Sequence, residues 1–131
     1  MATTVDDISR KLLDGRNFAT IATLNADGSP QTSVVWVLRE DDSVLFSTTT
    51  SRRKARNIAR DPRVSLSIFD AENPYTYAEI RGSAVLTPDE DRKLQYAVSH
   101  KYAGEDPPAE PADVVRVVVR ITPQKVVSRS V

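Results

Sequence analysis

The chain has 131 residues, enough for one domain with its own core. Eighteen Lys and Arg balance 18 Asp and Glu, and a net charge of zero argues against general nucleic-acid binding. The absence of cysteine excludes disulfides and thiolate metal sites, and 40% hydrophobic residues argue for a folded core over disorder.

The N-terminal run MATTVDDISRKLL carries acids early and has no long apolar stretch, so it does not read as a secretory signal. Nothing approaches the roughly 18 apolar residues of a membrane span. The expectation is a soluble cytoplasmic protein, with one domain over residues 1–131 and no membrane partner.

Asp6 to Arg16 reads as a short amphipathic helix with Ile8, Leu12 and Leu13 on its apolar stripe and Gly15 as its stop. Phe18 to Leu24 reads as a strand. A turn with an Asp27-Gly28 step follows, then a Val-rich strand from Gln31 to Arg39, so the two strands form a hairpin. Val44 to Phe46 is the next strand and runs into five hydroxyl residues, Ser47 to Ser51.

A basic helix comes next. Ala55, Ile58 and Ala59 share one small apolar face, with Arg53, Arg56, Asn57 and Arg60 opposite. Pro62 ends it. Val64, Leu66 and Ile68 alternate with Ser65 and Ser67 as a half-buried strand does. Tyr75 to Leu86 is a long strand, and Gly82 inside it signals a bulge or a close backbone approach. Thr87 as N-cap, Pro88 at N1 and Glu90 completing a capping box open a further helix to about Tyr102, with Leu94, Ala97 and Val98 inward.

Ala103 to Asp113 holds three prolines and four acids and reads as an exposed loop. From Val114 to Thr122, Val115, Val117, Val119 and Ile121 face one way, with Arg116 and Arg120 opposite. Lys125 to Ser128 forms a short last strand after Pro123. Hairpin connections and too few helices for regular βαβ units imply a mainly β fold. The architecture that fits is a closed or split β-barrel of six or seven mostly antiparallel strands with about three peripheral helices.

The motif inventory is sparse. There is no G-x-S-x-G, GxGxxG or GKS/T, and one histidine, His100, cannot build a multi-histidine metal site within one chain. His100 reads first as a helix-surface or cap residue. The carboxylates sit at turns and helix starts, where capping and solvation account for them. Tyr75 and Tyr77 lie on one face of a strand; they either pack in the core or at an interface, or line a planar ligand.

The stretch from Ser47 to Arg63 carries the strongest chemical signal. Arg52, Arg53, Lys54, Arg56, Arg60 and Arg63 face a single acid, Asp61. A helix start offers unpaired N–H groups and the positive end of the dipole. Hydroxyls and cations gathered there suit a phosphate, although ordinary capping and a solvated basic face explain the same residues. A bound phosphate ligand in a chain without its own catalytic constellation points to chemistry carried by a cofactor.

Three segments taken together, TIATLNADGSPQTSVVWV (20–37), FSTTTSRRKARNIARDPRVSLSIFD (46–70) and NPYTYAEIRGSAVL (73–86), resemble the flavin/deazaflavin oxidoreductase superfamily. These are split β-barrel proteins similar to pyridoxamine 5′-phosphate oxidase. The likeness is strongest to the actinobacterial branch that uses the deazaflavin coenzyme F420, and K-x-x-N-x-x-R-D-P-R, Lys54 to Arg63, is its most specific piece.

The resemblance implies a homodimer with cofactor sites at the interface, and hydride transfer between reduced deazaflavin and a small electron-poor substrate. It implies that Arg52 and Lys54 hold the phosphate and acidic tail, and that Ser47, Thr48 and Thr49 contact the phosphate and ribityl region. Ser33, Val34 and Trp36 would back the ring, with Arg56 and Asn57 in the same motif and Asn57 bonding the helix to its loop. Tyr75 and Tyr77 would come from the partner chain. FMN is the alternative cofactor, and a non-catalytic carrier the alternative role. The basic excess around Lys54 exceeds what one phosphate requires and favours the more acidic coenzyme.

Overall fold

In the computed structural model, which describes residues 2–130, seven strands form one sheet in the order β2-β1-β5-β6-β7-β4-β3. They are β1 (Ala19–Leu24), β2 (Pro30–Val35), β3 (Leu38–Glu40), β4 (Ser43–Thr49), β5 (Arg63–Asp70), β6 (Asn73–Pro88) and β7 (Arg116–Arg129). Every neighbouring pair is antiparallel. Helices α1 (Asp7–Asp14), α2 (Arg53–Arg60) and α3 (Lys93–Ala103) accompany the sheet, with a 3-10 turn at Glu90–Arg92. The protein is a split β-barrel with peripheral helices. Among the described residues no helix is long and apolar enough to cross a membrane.

The inner face of the sheet is a continuous apolar layer. Ile21, Phe46, Leu66, Ile68, Ile80 and Ile121 are fully buried in it. Leu12 and Leu13 of α1 and Ile58 of α2 join the same cluster. A second, smaller cluster forms on the other side of β4, where Leu94 and Val98 of α3 pack on Leu45. Helix α3 therefore lies on the outer surface of β4 and β7, beside the outer face of β2.

The expected single strand from Gln31 to Arg39 is broken in two at Trp36–Val37. Its halves, β2 and β3, form the two ends of the sheet order, so one continuous piece of chain joins both edges. At the break Val37 is buried, and its backbone groups need partners off the sheet. They find them on α3: Val37 N–H donates to Tyr102 Oη at 3.2 Å, and Lys101 Nζ donates to Val37 C=O at 2.7 Å. Lys101 also donates to Leu13 C=O, and Tyr102 Oη donates to Asn17 C=O at 2.6 Å. Burial holds the Lys101 ammonium down, at about 8, against the upward pull of Asp14.

Other expectations shift for local physical reasons. The hydroxyl residues Ser47 to Thr49 belong to β4, because the ladder with β7 continues to Thr49↔Arg116. In α2, Asn57 is buried and Ala59 exposed. Asn57 Nδ2 donates to Thr23 Oγ1 and Asn25 Oδ1, both at 3.0 Å, which ties α2 to the end of β1 and its turn. Thr87 and Pro88 finish β6 instead of opening a helix. Asp89 does the capping: its carboxylate accepts from the N–H groups of Leu94 and Gln95. Gln95 and Ser99 join Leu94 and Val98 on the inner side of α3, while Ala97 is exposed. Val115 precedes β7 and is exposed.

β7 also runs on through Pro123 to Arg129, so the expected last strand is continuous with it. The register shifts between Arg81 and Gly82, which faces Pro123. A Cβ at Gly82 would sit 2.1 Å from Thr122 O, which is the close approach that the glycine signals in the sequence. Gly82→Ala is expected to destabilise the fold by about 3 kcal/mol or more, because the clash is with backbone, read as a lower denaturant midpoint. Lys101→Met, which removes both carbonyl bonds at the strand break, is expected to cost about 1.5–3 kcal/mol in the same measurement.

Candidate functional site

Between α3, the outer side of β2, the start of α2 and the loop after α3 lies an open cleft of ≈ 460 Å³. Its apolar lining includes Val34, Trp36, Val98, Ala103 and Pro107. Its polar lining includes Ser47, Lys54, Gln95 and Arg116, with Glu105 and Asp106 from the loop after α3. A cleft with an apolar floor and a few convergent polar groups is the usual form of a small-molecule site.

Trp36 is held rigidly in the cleft lining. Its ring stacks on Tyr102 with centroids 5.1 Å apart and planes 4° apart, and Tyr102 is itself fixed by its two backbone hydrogen bonds. Lys101 Nζ sits 4.9 Å from the centre of the Tyr102 ring. Trp36 remains 40% exposed, so part of its surface is available to a ligand.

Electrostatics distinguish the polar lining. Lys54 sits in the first turn of α2, where Arg52 occupies the N-cap without a side-chain cap bond. Burial holds the Lys54 ammonium below the ordinary lysine value, and the charges of Arg52 and Arg116 add to that depression. A half-buried cation surrounded by other cations is a site that an anion would relieve. Arg116 Nη1 points to Ser47 Oγ at 3.4 Å. Its other edge is held by Glu110, at 2.7 Å from Nη2 to Oε2.

The structure brings together Val34, Trp36, Ser47 and Lys54 of the residues expected from the sequence. Arg52 and Arg56 are exposed on or beside α2. Thr49 Oγ1 and Ser51 Oγ share a hydrogen bond of 3.2 Å. Ser33 and Thr48 alternate out of the cleft: Ser33 pairs with core residue Ile21, and Thr48 follows Val44 and Phe46 on the inner face. Asn57 braces α2 from within. Tyr75 and Tyr77 lie on the outer face of β6, away from the cleft. His100 is exposed at the end of α3, 2.6 Å from Asp106. Arg116, Gln95, Ser99 and Tyr102 are parts of the site or its frame that the motif does not contain; only the alternation in β7, which puts Arg116 on the polar face, hints at one of them.

The sequence profile of the pyridoxamine 5′-phosphate oxidase family matches residues 5–130. The chain belongs to that family. A solved F420 reductase is 32% identical, with a TM-score of 0.81 over 90% of this chain and 94% of that one, which agrees with the resemblance to the flavin/deazaflavin oxidoreductases. A conserved hypothetical protein of Mycobacterium tuberculosis shares the fold at 24% identity, with a TM-score of 0.76 over 97% and 85% of the two chains. General stress protein 26 of Bacillus anthracis does so at 19% identity and a TM-score of 0.68, over 90% and 88%.

The depressed Lys54 gives a pH test. Loss of its proton removes a cation from the cleft, and this happens below the ordinary lysine value of 10.5. Binding of a phosphate-bearing ligand is expected to weaken as pH rises into that range. In Lys54→Arg the affinity should stay level to higher pH, as read by isothermal titration.

Proposed function

We propose that the protein is an F420-dependent oxidoreductase that transfers a hydride between the reduced deazaflavin and a small, electron-poor organic substrate. The observation that carries this reading is the mixed apolar and cationic lining of the cleft. A fixed indole with apolar side chains and the polar group Lys54, Ser47 and Arg116 line the same cleft. That set of groups suits a planar ring joined to a phosphate. The exposed cations Arg52, Arg53 and Arg56 beside Lys54 favour a ligand that carries acidic groups beyond its phosphate, as F420 does and FMN does not.

When bound, the deazaflavin supplies the hydride chemistry. The chain's part is to bind and orient. Trp36 and Val34 would support the ring, and Ser47 with Lys54 would take the phosphate. Arg52 would reach the acidic tail. No side chain is required as a nucleophile.

We further propose that the site is completed in a homodimer. The outer face of the sheet carries a row of exposed aromatics in register. Phe18 lies next to Phe69 in the direction of the β1–β5 ladder, and Phe69 pairs with Tyr77. A second copy covering this row would bury it and bring Tyr75 and Tyr77 to the ring or substrate space of the opposite site.

Titration of the purified apo protein with F420 and with FMN tests the reading. F420 is expected to bind more tightly, and Lys54→Ala and Arg52→Ala are each expected to weaken it by about tenfold, the worth of one charge-assisted contact. Preference for FMN would move the protein to the flavin side of the family. Binding without transfer to any hydride acceptor would make it a carrier. Unchanged affinity in both variants would remove the proposed anion site.

A further inference from the structure

The loop after α3, residues 104–113, has no helix or strand, yet it is anchored at three points. Ser99 Oγ donates to Glu105 C=O at 2.6 Å, and Arg92 Nη2 donates to Pro108 C=O at 3.0 Å. The third anchor is Glu110. Its carboxylate accepts from Arg116 Nε at 3.0 Å and from Arg116 Nη2 at 2.7 Å, and Arg92 Nη2 stands 3.4 Å away. Arg92 is fixed in turn by Gln95, through Nε to Oε1 at 2.6 Å.

The geometry at Arg116 has a direction. A guanidinium presents its N–H groups along three edges of a plane. Glu110 engages the Nε–Nη2 edge with both oxygens, a fork-to-fork contact that fixes the plane. Nη1 is left on the opposite side, where Ser47 Oγ lies 3.4 Å away and the cleft begins. Arg116 starts β7 and pairs with Thr49, two residues beyond Ser47, so its backbone is set by the ladder and its side-chain plane by Glu110. Glu110 and Arg116 are both about four-fifths buried, which keeps solvent from loosening the contact.

We propose that Glu110 is a positioning residue for ligand binding: it holds the guanidinium of Arg116 so that Nη1 faces Ser47 and the cleft, adding a directed donor for the phosphate-bearing part of the ligand. The proposal rests on the reading of the cleft as a cofactor site. It adds a specificity element from outside the basic helix, on a loop that the K-x-x-N-x-x-R-D-P-R run does not reach.

The test uses ligand pairs with and without the phosphate: FMN with riboflavin, and F420 with its deazaflavin nucleoside. Each is titrated into the wild-type chain, Glu110→Gln, Arg116→Met and the double variant. Binding is followed by quenching of the single tryptophan, Trp36, and by the ligand's own fluorescence.

Wild type is expected to prefer the phosphate-bearing member of a pair. Glu110→Gln should reduce that preference about tenfold, the worth of one hydrogen bond to a charged group, and leave the phosphate-free affinity unchanged. The double variant should match Arg116→Met, because Glu110 acts through Arg116. Should Glu110→Gln be too unstable to titrate, Arg116→Lys replaces it. That variant keeps the charge, loses the fork and is expected to show the same fall in preference.

Retention of the preference in Glu110→Gln overturns the proposal. So does an equal loss for both members of a pair, which is the signature of a loop anchor alone. A stronger preference overturns it as well, since Glu110 would then be competing with the ligand. Absence of any phosphate preference in wild type overturns the cofactor reading itself, and the role of Glu110 with it.

Discussion

The backbone of Val37 is the constraint on which the barrel depends. A chain that leaves one edge of a sheet and enters the other must pass through a point where ladder bonds are missing, and at that point Val37 is fully buried. An unpaired amide there would cost a large share of the net stability of a small protein. Lys101 and Tyr102 meet the requirement from α3, and both also bond to the segment around α1. One turn of helix thus joins the split in the barrel to the N-terminal region, and the residue before Val37 is Trp36. The groups that satisfy the break therefore also fix the aromatic wall of the cleft.

β7 imposes the second constraint. It is hydrogen bonded along both sides, to β6 over most of its length and to β4 at its start. The bulge at Gly82 lets the two long strands continue past Pro123, where a regular ladder would require a donor that proline lacks. Because β7 is held on both sides, Arg116 at its first position has a fixed backbone next to β4. The cationic part of the cleft lining is built in this way from three elements that are distant in sequence: Ser47 on β4, Lys54 on α2 and Arg116 on β7. Burying Lys54 and setting Arg52 and Arg116 beside it oppose folding locally, as its depressed ammonium shows. The core beneath, closed by fully buried residues such as Phe46 and Val119, compensates.

Much of this was legible in the sequence where local rules act alone. The alternation of Val64, Leu66 and Ile68 gives β5, the Asp27-Gly28 turn gives the first hairpin, and Gly82 marks the close approach. Reading failed where an element's neighbours decide. Thr87, Pro88 and Glu90 make a sound capping pattern, but β6 stays paired with β7 through Pro88 and Asp89 takes the cap. Asn57 falls on the polar side of a helical wheel, yet it turns inward because Thr23 and Asn25 offer it partners. Within the hydroxyl run, Ser47 faces the cleft while Thr48 faces the core, since membership of a strand imposes a period of two on residues that look alike in a list.

By itself the sequence determined the strand-rich composition, the basic helix at Lys54 and the family, because those signals lie in contiguous residues whose periodicity and chemistry act over a few positions. Only the tertiary structure decided that Gln31 to Arg39 would break to close the barrel, that Lys101 and Tyr102 would brace the break, and that Arg116 and Glu110 would join the cleft. Each of these depends on backbone groups and side chains separated by tens of residues, and their pairing is fixed by the ladder of β7 and the packing of α3 rather than by any local preference.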